Sequence, residues 1–239
     1  MSMSAGSART EAERWLSWSR LEEDRALGTL ARFVRGGGVV VFPTESSYAL
    51  GADPESPAGV AAVFRMKKRS AGKPLPVVAA SLEAFEKLGI EGAAAGFSGL
   101  EEAWPGALTV VVPCREGLAA SCGRKELAVR IPGHLRLRRL LARTGVALTA
   151  TSANLAGSEP LLELERLDEL VGDERVVVID EGRLEGGPPS TLVRLDGKSV
   201  TVLRHGAITL ETLRRIAPSL CFRNGFSAGA VEILGKGSG

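Results

Sequence analysis

The 239-residue chain is poor in the residues that usually announce a mechanism. It has two histidines, His134 and His205, and three cysteines, Cys114, Cys122 and Cys221, none at the paired spacing of a zinc site. A histidine-based metal centre is therefore not expected. Three thiols complete no disulfide framework, so a reducing, cytoplasmic setting is the expectation. Aromatic residues make up only 5% of the chain and Tyr48 is the single tyrosine, which leaves few rings for base stacking. No apolar run approaches the ~20 residues that cross a bilayer. The stretch from Met1 to Arg20 lacks the apolar centre of a secretory signal. Neither sign of charge dominates: 30 Lys and Arg stand against 28 Asp and Glu, a net charge of +2. That balance excludes a wholly electrostatic nucleic-acid binder and leaves room for a local basic cleft. Two textual signatures are missing as well: the Gly-x-x-x-x-Gly-Lys-Ser/Thr loop and the Gly-x-Gly-x-x-Gly fingerprint. A nucleotide, if bound, is held by scattered side chains.

What is present is the composition of a globular protein, 44% hydrophobic and 24% charged, in a length that reads as one domain. Residues 1–10 are Ser/Ala-rich and expected to fray. Trp15, Leu21, Leu27, Leu30 and Phe33 recur at helical spacing across residues 11–35, until Gly36-Gly37-Gly38 breaks the pattern. Val39-Val40-Val41-Phe42 then reads as a strand buried on both faces, ended by Pro43. A loop is expected over 44–55. Ser56 and Pro57 next supply an N-cap and a proline at the first helical position, and Val60, Val63 and Phe64 the apolar stripe of that helix. Further helices are expected at 81–88, capped by Ser81, and at 135–143, 161–171 and 209–216. Strands are expected at 74–78, 108–112, 128–131, 146–150, 176–179, 192–195 and 200–203. Alternation that gives way to consecutive strands predicts an α/β fold shading into α+β: one twisted, mixed open sheet with helices packed on it. The glycine-rich stretch 222–239 reads as an appendage.

The densest chemistry lies between Phe42 and Val77. A buried strand delivers Thr44, Glu45, Ser46, Ser47 and Tyr48 to its C-terminal end, where α/β sheets place ligands. The alternative is a polar loop of capping residues. Lys67 and Arg69, two apart where a helix unwinds, would face one way and suit a polyphosphate, the lysine as a point charge and the arginine as a fork. The alternative here is a helix end whose cations complement its dipole. Arg130 stands in an apolar strand and needs either an acidic partner or an anionic ligand. Ser152-Ala153-Asn154, Ser190-Thr191 and Arg204 mark other strand ends with small polar or cationic groups.

Taken in order, Phe42-Pro43-Thr44-Glu45, Lys67-x-Arg69, Pro105-Gly106-x-Leu108-Thr109, Val129-Arg130-x-Pro132-x-His134, Ser152-Ala153-Asn154, Ser190-Thr191 and Leu203-Arg204-x-Gly206-x-Ile208 resemble the YrdC-type threonylcarbamoyl-adenylate synthases over residues 26–208. The resemblance implies an open α/β sheet around a deep basic cavity. It also implies a nucleotidyltransferase that converts L-threonine, bicarbonate and ATP into threonylcarbamoyl-adenylate and pyrophosphate. The product would pass to a tRNA-modifying complex, with contact to tRNA or double-stranded RNA as a further implied property and no membrane involved. By similarity, Thr44, Tyr48, Arg130, Ser152 and Ser190 surround threonine, and Arg130 pairs with its carboxylate. Lys67, Arg69, Asn154 and Arg204 hold ATP, with Lys67 and Arg69 also catalytic. Mg²⁺ rides on the phosphates without protein ligands. The implied layout is an N-terminal extension over 1–22, a catalytic domain over 23–208, and a C-terminal helix and tail over 209–239. The chain departs from the family pattern at Ser46-Ser47-Tyr48-Ala49-Leu50-Gly51, where Ala49 replaces a usual glycine and is expected to strain the backbone, and at Lys67-Lys68-Arg69-Ser70, where a usual proline is absent. The altered stretch leaves two other readings open: a diverged relative acting on another carbamate or acyl-adenylate, and an RNA-binding module without turnover.

Overall fold

A computed structural model describes residues 15–69, 72–92, 97–172 and 174–225. Its strands are β1 (Trp15–Leu16), β2 (Val39–Pro43), β3 (Tyr48–Gly51), β4 (Val77–Val78), β5 (Leu108–Pro113), β6 (Glu126–Arg130), β7 (Leu148–Thr149), β8 (Thr151–Ser152), β9 (Val176–Ile179), β10 (Thr191–Asp196), β11 (Ser199–Arg204) and β12 (Cys221–Asn224). Its helices are α1 (Asp24–Arg35), α2 (Pro57–Met66), α3 (Leu82–Lys87), α4 (Leu135–Thr144), α5 (Leu167–Val171) and α6 (Leu210–Ile216). The α/β class is as the sequence predicts, but the strands divide between two mixed sheets rather than one. The smaller has the order β1-β9-β2-β3-β8 and the larger β12-β11-β10-β5-β6-β4-β7.

The apolar run of β2 explains the layering. Val39 and Val41 face the central core that both sheets share. Val40 and Phe42 face the opposite side, where Leu27, Leu30 and Val34 of α1 and Leu137, Leu140 and Leu141 of α4 cover them. A strand covered on both faces has no use for polar alternation. All four residues are 0% exposed, and each such side chain stabilises the fold by roughly 1.5–3 kcal/mol. Among the described residues no helix is long and apolar enough to cross a membrane.

Several expected elements come out differently. Residues 15–22 form β1 and a short 3-10 turn, so helix α1 starts only at Asp24; Trp15 and Leu16 pair in parallel with Val178 and Ile179. The expected loop 44–55 contains β3, which folds back on β2 with Tyr48 opposite Pro43 and Gly51 opposite Val40. The predicted strand 146–150 is the shorter β7, followed by β8. Of the predicted helix 161–171 only Leu167–Val171 is helical. Leu161 instead donates its N–H to Ala153 and accepts from Tyr48, so both backbone groups are committed across the chain. Cys221–Asn224 extends the larger sheet beside β11, where an appendage was expected. Residues 1–14 and 226–239, with the expectations made for them, lie outside the described residues. Ala49 carries no left-handed backbone; it is an ordinary residue of β3, between Phe42 and Ser152, so the expected strain is absent.

Candidate active site

Helix α2 begins as its sequence dictates, with the Ser56 hydroxyl accepting from the Gly59 N–H at 3.2 Å and Pro57 at the first position. It ends on Lys67, and Lys68 then takes a left-handed turn with φ +49°. That turn leaves Lys68 exposed and puts Lys67 inside, at 4% exposure, with Arg69 half-buried. The Lys67 ammonium donates to the Ser152 carbonyl at 2.5 Å, the Asn154 carbonyl at 3.0 Å and the Asn154 Oδ1 at 2.6 Å. Ser152 Oγ donates to the same Oδ1 at 2.7 Å. Burial, and then the charge of Arg69, pull the Lys67 pKa down to about 8, while its three oxygen acceptors favour the charged form. Burial lowers Arg69 in the same direction.

A second group sits along one end of the larger sheet, where β11, β10, β5 and β6 lie side by side. Arg204, ending β11, donates through Nη2 to the Ser190 carbonyl at 2.9 Å and reaches Ser190 Oγ at 3.3 Å. That Oγ is 2.8 Å from Thr109 Oγ1 of β5. The turn after Arg204 comes so close to Pro189 that a Cβ on Gly206 would lie 2.2 Å from the Pro189 carbonyl oxygen, so only glycine fits. Arg130, ending β6, donates through Nε to the Gly106 carbonyl at 2.8 Å and through Nη2 to Glu45 Oε1 at 2.8 Å. Burial lowers both arginines; Arg130 adds to the effect on Arg204, and Glu45 opposes it on Arg130.

Of the expected site residues, Lys67, Ser152 and Asn154 share one hydrogen-bonded cluster, with Arg69 beside Lys67. Ser190 and Arg204 form the other, with Arg130 near enough for its charge to act on Arg204. Among the described residues no hydrogen bond or ion pair joins the two clusters. They are linked through Ser152, which pairs with Ala49 of β3, and through the β2–β3 turn, which carries Glu45 to Arg130. Thr44 sits in that turn, where its hydroxyl donates to the Ser47 carbonyl at 2.7 Å and accepts from the Ser46 and Ser47 N–H groups. Tyr48 stands apart. Its ring is 0% exposed, and its hydroxyl accepts from the Glu181 N–H at 2.9 Å and lies 2.8 Å from the Gly182 carbonyl and 3.1 Å from Asp180. Glu45 and Thr109 were visible in the sequence only as members of motifs, with no role assigned to either. For Glu45 a signal existed, because a strand arginine demands an acidic partner and Glu45 closes the nearest polar strand end.

Lys67, Arg69 and Arg204 have no carboxylate partner among the described residues, and Arg130 has one. Among those residues, too, no three His, Cys, Asp or Glu side chains are grouped to hold a metal. Desolvated cations without counter-charges, in an α/β fold, form an arrangement that an anionic ligand would complete. Residues 32–206 match the Sua5/YciO/YrdC family model, described as telomere recombination, and the chain belongs to that family. The threonylcarbamoyl-AMP synthase of Thiobacillus denitrificans is 35% identical over 171 residues, covering 70% of this chain and 89% of the relative. That of Bacillus subtilis is 28% identical and covers 85% of this chain, which spans 60% of the relative's length. Among solved structures, P. abyssi Sua5 complexed with L-threonine superposes with a TM-score of 0.71 at 30% identity, covering 84% of this chain and 60% of that one.

Proposed function

We propose that this chain is a nucleotidyltransferase of the cytoplasm that makes threonylcarbamoyl-AMP and pyrophosphate from L-threonine, bicarbonate and ATP. The observation that carries the reading is the division of charge: Lys67, Arg69 and Arg204 have no carboxylate partner among the described residues, whereas Arg130 is paired with Glu45. A triphosphate needs the first set, an amino-acid carboxylate the second. The names of the relatives and the threonine complex of P. abyssi Sua5 support the same assignment. The basic cavity is the space we assign between the two groups.

The chemistry asks little covalent work of the protein. The ammonium of threonine first loses a proton to solvent; the neutral amine then attacks the carbon of bicarbonate, water leaves, and a carbamate forms. A carbamate oxygen then attacks the α-phosphorus, and the bond to the β-phosphate oxygen breaks to release pyrophosphate. Arg130 holds the threonine carboxylate, with Thr44, Ser152 and Ser190 lining the pocket and Tyr48 supporting its wall from the Asp180–Gly182 side. Lys67, Arg69 and Arg204 neutralise charge on the phosphates, and Asn154 fixes Lys67. Positioning and preorganised charge supply the catalysis, which explains a site with no nucleophile–histidine pair. Mg²⁺ belongs to the nucleotide substrate in this scheme. We assign catalysis to residues 23–208 and expect the product to serve a tRNA-modifying complex.

The test is pyrophosphate release by the full chain with L-threonine and bicarbonate omitted in turn. Release that needs both, and that falls two to three orders of magnitude (about 3–4 kcal/mol) in Lys67→Ala, is the expected result. Nucleotide turnover indifferent to threonine overturns the assignment, and near-normal turnover in Lys67→Ala overturns the role of that lysine.

A further inference from the structure

Glu45 has one oxygen in heavy use and one without a partner. Its Oε1 accepts from Arg130 Nη2, from the Gly133 N–H and, at 3.2 Å, from the His134 N–H. Its Oε2 receives no donor among the described residues, although the side chain is only 32% exposed. Arg130 shows the complementary pattern. Its Nε and Nη2 serve the Gly106 carbonyl and Glu45, so one edge of the guanidinium is occupied by protein and the Nη1–Nη2 edge is left for a ligand. Gly133 is held close to this carboxylate, since a Cβ there would lie 2.8 Å from Oε1.

We infer that Glu45 is a specificity-determining residue: with Arg130 it forms a charge-neutral pair that selects a zwitterionic amino acid, the guanidinium taking the α-carboxylate and the free Glu45 Oε2 taking the α-ammonium. The inference rests on the proposed function and adds how the two substrates are sorted. A phosphate approaching Arg130 meets a carboxylate beside it, which is repulsive, whereas the same phosphate meets no carboxylate at Lys67, Arg69 or Arg204. A zwitterion has the opposite preference. Glu45 therefore acts against the wrong ligand as well as for the right one.

Glu45→Gln in the full chain tests this, because glutamine keeps an accepting oxygen for the Gly133 and His134 amides and removes only the charge. Calorimetric titration with L-threonine, ATP, and inorganic phosphate competing against threonine gives the readout. Threonine affinity should fall by about tenfold or more, competition by phosphate should strengthen by about threefold or more, and ATP affinity should stay within about twofold. A merely structural role weakens all three together, and that outcome overturns the inference, as does no change in any. A measurement on the unaltered protein stands beside it in case the variant does not fold. The analogue 2,3-dihydroxybutanoate, with a hydroxyl in place of the ammonium, should bind about tenfold or more weaker than threonine, and equal binding overturns the inference. Failure of the proposed function looks different, because then the unaltered protein does not bind threonine at all.

Discussion

At the scale of single residues, Lys67 is the most consequential position. Its ordinary pKa of 10.5 is drawn down to about 8 by burial and by Arg69. Because the folded value lies below the unfolded one, the unfolded chain holds the proton more tightly. Burying this ammonium therefore costs stability below pH 8, a cost relieved as pH rises from about 8 to 10.5. Ligand binding has the opposite requirement, since phosphates need the charged form. ATP affinity should thus be level below pH 8 and weaken by about tenfold per unit above it, read by titration at several pH values. Lys67→Arg should bind with little such dependence, because guanidinium stays protonated throughout that range. A flat profile in the unaltered protein would mean that its Ser152 and Asn154 acceptors hold the ammonium charged despite burial. The residue-level signals in the sequence were of uneven worth. For Lys67 and Arg69 the sequence left two readings open, a phosphate-facing pair or a solvated helix end, and it is the left-handed turn at Lys68 that turns Lys67 inward. The internal role of the Tyr48 hydroxyl was not legible, because its partners Asp180, Glu181 and Gly182 lie more than 130 positions away.

At the scale of elements, the same contrast separates local from distant determinants. Helix α2 was legible from Ser56, Pro57 and its apolar stripe, all inside a short window. The Ser81 position shows the limit of such reading: it does start α3, yet its side chain makes no capping bond. Strand β3 was hidden because Tyr-Ala-Leu-Gly has no alternation; it exists by pairing with β2 on one side and β8 on the other. Its Gly51 is required by space rather than by backbone freedom, since a Cβ would lie 2.5 Å from Phe42 Cε1 and 2.6 Å from the Thr149 carbonyl oxygen. Gly51→Ala should cost about 1–3 kcal/mol in denaturant unfolding and should also slow turnover, because β3 carries the turn that holds Thr44 and Glu45. Ser56→Ala, at the far end of the neighbouring helix, should cost about 1 kcal/mol and leave turnover unchanged. If both variants lose stability and activity in the same proportion, the β2–β3 turn has no special hold on the site.

At the scale of the whole molecule, the class of fold was legible from the order of helical and strand periods, while its division into two sheets was not. The division depends on which strands find each other: β1 reaches β9 and β12 reaches β11, joining each sheet's edge with segments from the two ends of the chain. Charge behaves in the same way. A net charge of +2 spread over 239 residues creates little long-range field, so binding depends on how the cations are sorted locally. Lys67, Arg69 and Arg204, which have no carboxylate partner among the described residues, and the Arg130–Glu45 pair should respond differently to salt. Between about 50 and about 500 mM NaCl the screening length shrinks from about 14 Å to about 4 Å. ATP affinity should fall several-fold over that range, and threonine affinity, resting on a neutral pair that meets a neutral zwitterion, should change by less than about twofold. Parallel titrations of the two substrates measure both slopes in one protein sample. Equal slopes would mean that Arg130 behaves as one more free cation, and the separation of phosphate and amino-acid ground by Glu45 would fail with it.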